Sequence, residues 1–110
     1  MNDQLATMEL EPSEGSLLVR LHGEIDLSNA NQMQQQLEKA IGGYPRVVVD
    51  LTKIEYLDSQ GLRLIKQICD KSDREHTMLK LIAPSTSIAR QVLDIARMSE
   101  YVEIRDAVEA

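Results

Sequence analysis

The chain has 110 residues and a mass of 12.4 kDa, which is the size of one domain, because domains typically hold about 100 to 200 residues. We therefore expect a single domain over residues 1–110. Thirty Leu, Ile and Val residues are enough for a hydrophobic core. The net charge of -6 and the pI near 4.8 exclude nucleic acid and anionic membrane surfaces as expected partners, because both repel an acidic protein.

Cysteine usage and the lack of long apolar runs favour a cytoplasmic protein. Cys69 is the only cysteine, so an intrachain disulfide, a CxxC pair and a thiolate zinc site are excluded. No apolar run approaches the roughly 20 residues that span a bilayer, and the first residues show no basic stretch followed by an apolar segment. We expect neither a leader peptide nor insertion into a membrane.

Two predicted strands open the chain. They cover residues 5–11 and 17–22, and the sequence Pro-Ser-Glu-Gly at residues 12–15 is typical of a turn between them. In the second strand every other residue is apolar, which is the pattern of a half-buried antiparallel strand. The residues on that apolar face are Leu17, Val19 and Leu21.

A helix and a buried strand are predicted next. Ser28 or Asn29 can cap the helix, and Gly42-Gly43 followed by Pro45 can end it. Residues 46–51 are apolar without alternation, which predicts a central strand covered on both faces. The helix is indicated by apolar residues at helical spacing, namely Ala30, Met33, Leu37, Ala40 and Ile41.

A second helix is predicted after Asp58. Residues 71–76 are polar and predict a loop, and residues 77–83 predict a further strand. The inward face of the helix is indicated by the spacing of Gly61, Ile65, Ile68 and Ser72.

A third helix and a short last strand complete the predicted order. Ser85 or Ser87 caps the helix, and residues 101–104 form the strand. The apolar stripe of the helix is predicted at Ile88, Val92 and Ile95. The order ββαβαβα(β) predicts an α/β fold with a mixed four- to five-stranded sheet and packed helices, because each β-helix-β crossover implies a parallel strand pair.

Residues able to carry out catalysis are scarce. The sequence contains no HExxH, GxSxG or GxxxxGK[ST] pattern. His22 and His76 are interpreted as solvated surface side chains, and Cys69 as a buried, inert thiol. The residues Met33, Met78 and Met98 are interpreted as core filling. We therefore expect no catalytic residue, no bound metal, no cofactor and no enzymatic activity.

The most informative segment leads from the predicted central strand through a short predicted loop into the second helix. Asp58 and Ser59 by themselves are an ordinary helix start. Gly61 is less ordinary, because glycine in a helix costs about 1 kcal/mol relative to alanine. Its presence indicates that a neighbouring strand or a partner protein approaches the helix backbone closely.

The sequence resembles STAS domains, in particular the bacterial anti-sigma factor antagonists. Three segments carry the resemblance over roughly residues 5–105: Val-Val-Val-Asp-Leu with Tyr-Leu-Asp-Ser-Gln-Gly-Leu at residues 47–62, Gly-Glu-Ile-Asp at residues 23–26, and Ile-Ala-Pro-Ser at residues 82–85. The resemblance implies a domain that binds an anti-sigma factor, itself a serine kinase, and thereby frees a sigma factor. It implies that phosphorylation of Ser59 switches the domain off, and it allows a serine phosphatase as a further partner.

The resemblance also implies a set of partner-binding residues, in which Asp58 is the neighbour of the phosphoacceptor and Asp26 is the acidic residue of the adjoining loop. Two positions depart from the family pattern. Gln60 stands where many antagonists have a second Ser or Thr, and Arg63 stands where a small residue is frequent. The full implied set is Asp26, Asp58, Ser59, Gln60, Gly61 and Arg63.

A phosphate on Ser59 is expected to leave the free domain folded, because a helix amino terminus offers free N–H groups and the positive end of the helix dipole. Three other functions remain open. The first is a STAS-type adaptor that docks on the cytoplasmic ATPase of a membrane transporter. The second is a nucleotide-binding sensor, which the missing Gly-rich phosphate loop disfavours. The third is a small hydrolase or transferase built on scattered carboxylates, which is the least favoured.

Overall fold

A five-stranded sheet forms the centre of the computed structural model, which describes residues 5–107. The strand order is β1-β2-β3-β4-β5, with β1 antiparallel to β2 and every other neighbouring pair parallel. The strands are β1 (Ala6–Ser13), β2 (Ser16–Ile25), β3 (Arg46–Leu57), β4 (Met78–Ile82) and β5 (Glu103–Arg105). This arrangement confirms the predicted α/β fold and its element order.

Helices make each of the three parallel crossovers in the part of the chain that the structure describes. They are α1 (Ala30–Ile41), α2 (Ser59–Arg74) and α3 (Ile88–Ile95), and a single 3-10 turn at Met98–Glu100 precedes β5. Crossovers of the usual right-handed sense along one direction of a sheet place their helices on the same face.

The alternation of buried and partly exposed residues along the strands shows that the helices cover one face of the sheet. The buried residues of β2 and β3 alternate with Leu18, Arg20, Val48 and Asp50, which stay partly exposed on the other face. The prediction that strand 46–51 lies in the middle of the sheet is confirmed, but the prediction that it is covered on both faces is wrong. The buried set comprises Leu17, Val19, Leu21, Val47, Val49 and Leu51.

Strand β3 extends further than the sequence predicted. Residues 52–57 belong to the strand, because Ile54 and Leu57 are buried and their backbone continues to pair with β2. The pairing shifts register twice, between Arg20 and His22 and between Gly23 and Glu24 of β2, and each shift places one extra residue in β3. The predicted loop between this strand and the second helix is therefore wrong, and Asp58 follows the strand directly.

The predicted loop at residues 71–76 is wrong for most of its length, because α2 continues to Arg74. Ser72 is buried on the inward face, which extends the apolar stripe by one turn. Lys71 Nζ donates to Glu75 Oε2 at 2.6 Å, and cations near the carboxyl end of a helix interact favourably with its dipole.

Helix α3 packs through a face displaced from the one predicted, and of the predicted stripe Val92 alone packs against the core, where it is partly buried. Its buried residues are Ala89 and Leu93, whereas Ile88 and Ile95 are 47% and 85% exposed. The small side chain of Ala89 lets the helix approach the sheet closely, which the isoleucine stripe would prevent. Ser87, not Ser85, caps the helix, since its Oγ accepts from Arg90 N at 3.1 Å.

The methionine predictions are confirmed in two of three cases. Met33 and Met98 are buried, 5% and 2% exposed. Met78 is 62% exposed at the start of β4, so the prediction that it fills the core is wrong.

Candidate functional site

Strands β2 and β3 end side by side, and two acidic residues follow them. Ile25 pairs with Leu57 at the last step of the β2–β3 ladder. Asp58 N then donates to Ile25 O at 3.3 Å, so the helix start is tied to the end of β2. Asp26 and Asp58 are the next residues of the two chain segments, and the structure therefore brings them to the same edge of the sheet.

Asp58 caps helix α2, as the sequence predicted. Its Oδ1 accepts hydrogen bonds from Gln60 N at 2.9 Å and from Gly61 N at 3.1 Å, and its carbonyl oxygen accepts from Leu62 N at 2.9 Å. The carboxylate thus occupies two of the N–H groups that a helix start leaves without a partner. The expectation that these groups are free to bind a phosphate on Ser59 is wrong.

Ser59 is the first residue of α2 and is exposed. Its side chain lines a groove of about 290 Å³, whose walls come from α2 and from the segment that follows α3. Lys66 Nζ lies 5.1 Å from the centre of the Tyr101 ring and joins the two walls. The other lining residues are Leu62, Arg63, Ala96 and Met98. The side chain of Ser59 is therefore accessible from solution.

The close approach that Gly61 indicated is made by neighbouring strands. A Cβ at this position would lie 2.4 Å from Leu57 Cδ1 and 3.1 Å from Ile25 O. Gly61 is buried against both residues. Of the two explanations left open by the sequence, a neighbouring strand and a partner protein, the structure shows the neighbouring strand. Gly61 therefore affects the surface around Ser59 only by setting how closely the helix start lies on the sheet.

Asp26 organises the loop between β2 and α1. Its Oδ1 accepts from Ser28 N at 2.8 Å and from Ser28 Oγ at 2.6 Å, while Asp26 N donates to Asn29 Oδ1 at 2.9 Å. These reciprocal bonds resemble a capping box ahead of the helix. Asn29 takes the N-cap position of α1 without a side-chain cap bond, so the prediction that Ser28 or Asn29 caps this helix is wrong for the side chains.

The same bonds set the charge state of Asp26. The Ser28 hydroxyl, followed by the Ser28 N–H, holds the pKa of the Asp26 carboxyl below its ordinary value of 3.8. Because the pKa is lowered in the folded protein, the carboxylate stabilises the loop fully above pH 3.8 and loses this effect as the pH falls below 3.8 through the lowered folded-state pKa. Asp26 is therefore a fixed negative charge beside the start of α2.

Acidic and basic groups lie on opposite sides of Ser59. Asp26 and Asp58 come from the strand ends, whereas Arg63 and Lys66 lie along the groove. Gln60 is half-buried, and Arg63 is exposed. Lys66 was missed by the sequence reasoning, although its spacing of seven residues from Ser59 places both on one helix face. Tyr101 could not have been found from local sequence, because it reaches the groove from another element.

Outside this edge of the sheet, few of the residues that the structure describes are arranged for catalysis or metal binding. Cys69 is buried, as predicted, and burial raises the pKa of its thiol to about 11. No group of three or more His, Cys, Asp or Glu side chains within residues 5–107 is arranged to hold a metal ion. His22 Nε2 lies 3.3 Å from Glu9 Oε1 on the uncovered face of the sheet, and His76 is exposed.

None of the helices described is both long and apolar enough to cross a membrane.

Known proteins share this arrangement. The STAS domain family matches residues 7–110, and the chain belongs to that family. An anti-sigma F factor antagonist of Paenibacillus polymyxa is 29% identical over 89 residues, which cover 67% of this chain and 76% of that protein.

Solved structures show the same fold. An anti-sigma factor antagonist from Mycobacterium paratuberculosis superposes with a TM-score of 0.83 at 22% identity, over 94% of this chain and 87% of that one. The unphosphorylated form of the anti-sigma factor antagonist SpoIIAA gives 0.73 at 21% identity, over 94% and 90% of the two chains. The phosphorylated form of SpoIIAA, from Bacillus, gives 0.66 at 20% identity, over 94% and 93%.

Proposed function

We propose that this STAS protein is an anti-sigma factor antagonist that is switched off by phosphorylation of Ser59. The observation that carries the proposal is the exposed Ser59 at the first position of α2, directly after the Asp58 cap. The names of the relatives support the antagonist function, and the two solved forms of SpoIIAA support a phosphorylation cycle in such proteins. The partner is an anti-sigma factor with serine kinase activity, and a serine phosphatase reverses the modification.

Exposed apolar side chains near Ser59 support a protein as the partner. Leu27 is 75% exposed in the loop after β2, and Tyr56 is 48% exposed near the end of β3. Ile95 is 85% exposed and directly precedes Ala96 of the groove. Large apolar side chains grouped on a surface are typical of protein interaction sites. They add to those residues of the partner-binding set implied by the resemblance that are not buried, namely Asp26, Asp58, Ser59, Gln60 and Arg63.

A phosphate on Ser59 acts differently in the free domain and in the complex. In the free domain the side chain is exposed, so the added charge of about -1.5 to -2 stays hydrated and the fold survives. In a complex that covers Ser59 the phosphate loses water, and an unpaired buried charge costs several kcal/mol. A loss of about 4 kcal/mol corresponds to roughly a thousandfold in affinity. The domain acts by binding alone, in the cytoplasm, without catalysis and without a cofactor.

Affinity capture from a lysate of the source bacterium tests the proposal. The baits are the wild-type protein, Ser59→Ala, Ser59→Asp and the control Ser13→Asp, which adds the same charge at an exposed serine at the other end of the sheet. We expect wild type, Ser59→Ala and Ser13→Asp to capture an anti-sigma factor kinase that Ser59→Asp does not capture. Equal capture of that kinase by Ser59→Asp would overturn the switch. Capture of a transporter ATPase by every bait would overturn the antagonist function in favour of the adaptor.

A further inference from the structure

Two cations beside Ser59 have no acidic partner. Within residues 5–107 the Arg63 guanidinium makes no ion pair or hydrogen bond, and the Lys66 ammonium contacts only the Tyr101 ring. Both line the groove that contains Ser59.

The helix geometry places Arg63 within reach of a group on Ser59. Residues four apart on a helix have Cβ atoms roughly 5–6 Å apart. Helical side chains also lean toward the amino terminus, which directs the Arg63 fork toward Ser59. Lys66 lies one turn further along the same groove and supplies a second positive charge.

The usual anion-binding groups of a helix start are already in use here. Asp58 Oδ1 accepts from both Gln60 N and Gly61 N, and Asp58 and Asp26 add negative charge on the strand side of Ser59. A phosphate on Ser59 is therefore repelled from the strand side and attracted toward the groove, where an arginine can bind two phosphate oxygens at once.

We propose that Arg63 and Lys66 bind the phosphate carried by Ser59 and hold it in the groove. This inference rests on the proposed phosphorylation of Ser59 and assigns a specific role to Arg63, one of the two residues that depart from the pattern of the family that the sequence resembles. In the unmodified protein the two cations are available to acidic groups of the anti-sigma factor. In the phosphorylated protein they are occupied, so the modification removes two partner contacts in addition to placing a charge in the interface.

Phosphorus NMR on protein with phosphoserine incorporated at position 59 during translation tests the inference without any kinase. The measured quantity is the second pKa of the phosphate, which is about 6 for an unperturbed phosphoserine. We expect this pKa in the folded protein to be lower by about half a unit or more than in the same protein unfolded in urea. The double variant Arg63→Gln/Lys66→Gln loses the lowering, because Asp26 and Asp58 are then the remaining charged neighbours. Arg63→Lys retains part of it, since it keeps the charge but not the fork.

Arg74→Gln is the matched control, because it removes one positive charge from an exposed position at the far end of the same helix. It should leave the phosphate pKa unchanged. A second readout is the rate at which a broad-specificity serine phosphatase removes the phosphate from the folded protein. We expect this rate to rise several-fold in the double variant and to stay unchanged in Arg74→Gln.

The inference is overturned if the phosphate pKa is the same in wild type and in the double variant, or if Arg74→Gln shifts it equally. This result would leave the proposed function intact, because the switch requires only that phosphorylation blocks binding. The converse result, a lowered pKa in a phosphorylated protein that still binds its partner, would contradict the proposed function while supporting the role of Arg63 and Lys66.

Discussion

Substitution of Gly61 by alanine tests how closely α2 lies on the sheet at the candidate site. The added Cβ would lie 2.4 Å from Leu57 Cδ1 and 3.1 Å from Ile25 O. Leu57 is only 5% exposed, so its side chain has little room to move outward. Ile25 O is also fixed, because it accepts the Asp58 N–H hydrogen bond at 3.3 Å. The helix start must therefore shift away from β2 in the variant.

The expected size of the effect follows from two opposing terms. Inserting a methyl group into a well-packed interior typically costs about 1–3 kcal/mol. Alanine in place of glycine favours the helix by at most about 1 kcal/mol. With a cost of about 2 kcal/mol, the middle of that range, and an offset of up to about 1 kcal/mol, we expect Gly61→Ala to lower the free energy of unfolding by about 1–2 kcal/mol. For a domain of this size that change lowers Tm by roughly 4–16 °C.

Urea unfolding followed by circular dichroism measures this change, with Gly42→Ala as the control. Gly42 has φ -60°, and an added Cβ would contact Glu38 O and Lys39 O at an ordinary 3.7 Å. That variant should be unchanged or up to about 1 kcal/mol more stable, because alanine restricts the unfolded chain. A Gly61→Ala protein as stable as wild type would refute the close approach of α2 to β2. An equal loss of stability in both variants would show that the effect has nothing to do with the site.

Three further predictions concern single side chains of α2 and its cap. Asp58→Ala should lower the free energy of unfolding by about 1 kcal/mol, whereas Asp58→Asn keeps most of the cap and should lower it by less. Equal losses of stability for the two variants in a urea titration would show that capping does not cause the loss. Cys69 should react slowly with a thiol reagent at pH 8 in the folded protein and rapidly in urea, because burial raises its pKa to about 11; fast labelling of the folded protein would contradict its burial. Ser72→Ala should be neutral or stabilising by up to about 1 kcal/mol, because the buried Ser72 hydroxyl has no hydrogen-bond partner among residues 5–107. A clearly lower Tm would mean that the hydroxyl is satisfied.

Local patterns in the sequence predicted the first parts of β2 and β3 and the start of α2, but not the ends of the two strands, which form the edge where the site lies. The alternation of Leu17, Val19 and Leu21 identified the buried face of β2, and the Asp58 cap was predicted from residue type alone. Both depend on neighbours within a few residues. The resemblance to STAS domains added Ser59 and Asp26, which local patterns could not distinguish from ordinary helix and loop residues.

Features that depend on distant contacts were not predictable. Residues 52–57 include exposed polar side chains such as Lys53 and Glu55, and only the pairing with β2 across two register shifts makes them a strand. Two apolar stripes are possible in the eight-residue helix α3. Ala89 and Leu93 fill the space above β3, whereas Ile88 and Ile95 stay exposed. The groove beside Ser59 is formed partly by the segment after α3. Local sequence patterns therefore could not predict it.

The central claim is that the charge state of Ser59 controls binding of the anti-sigma factor. Isothermal titration calorimetry on the captured partner measures this directly, with wild-type protein, protein carrying phosphoserine at position 59 and protein carrying phosphoserine at position 13. The account predicts that the phosphate at position 59 weakens binding by about a thousandfold, while the phosphate at position 13 leaves the affinity close to that of wild type. Equal affinities for all three proteins would contradict the account.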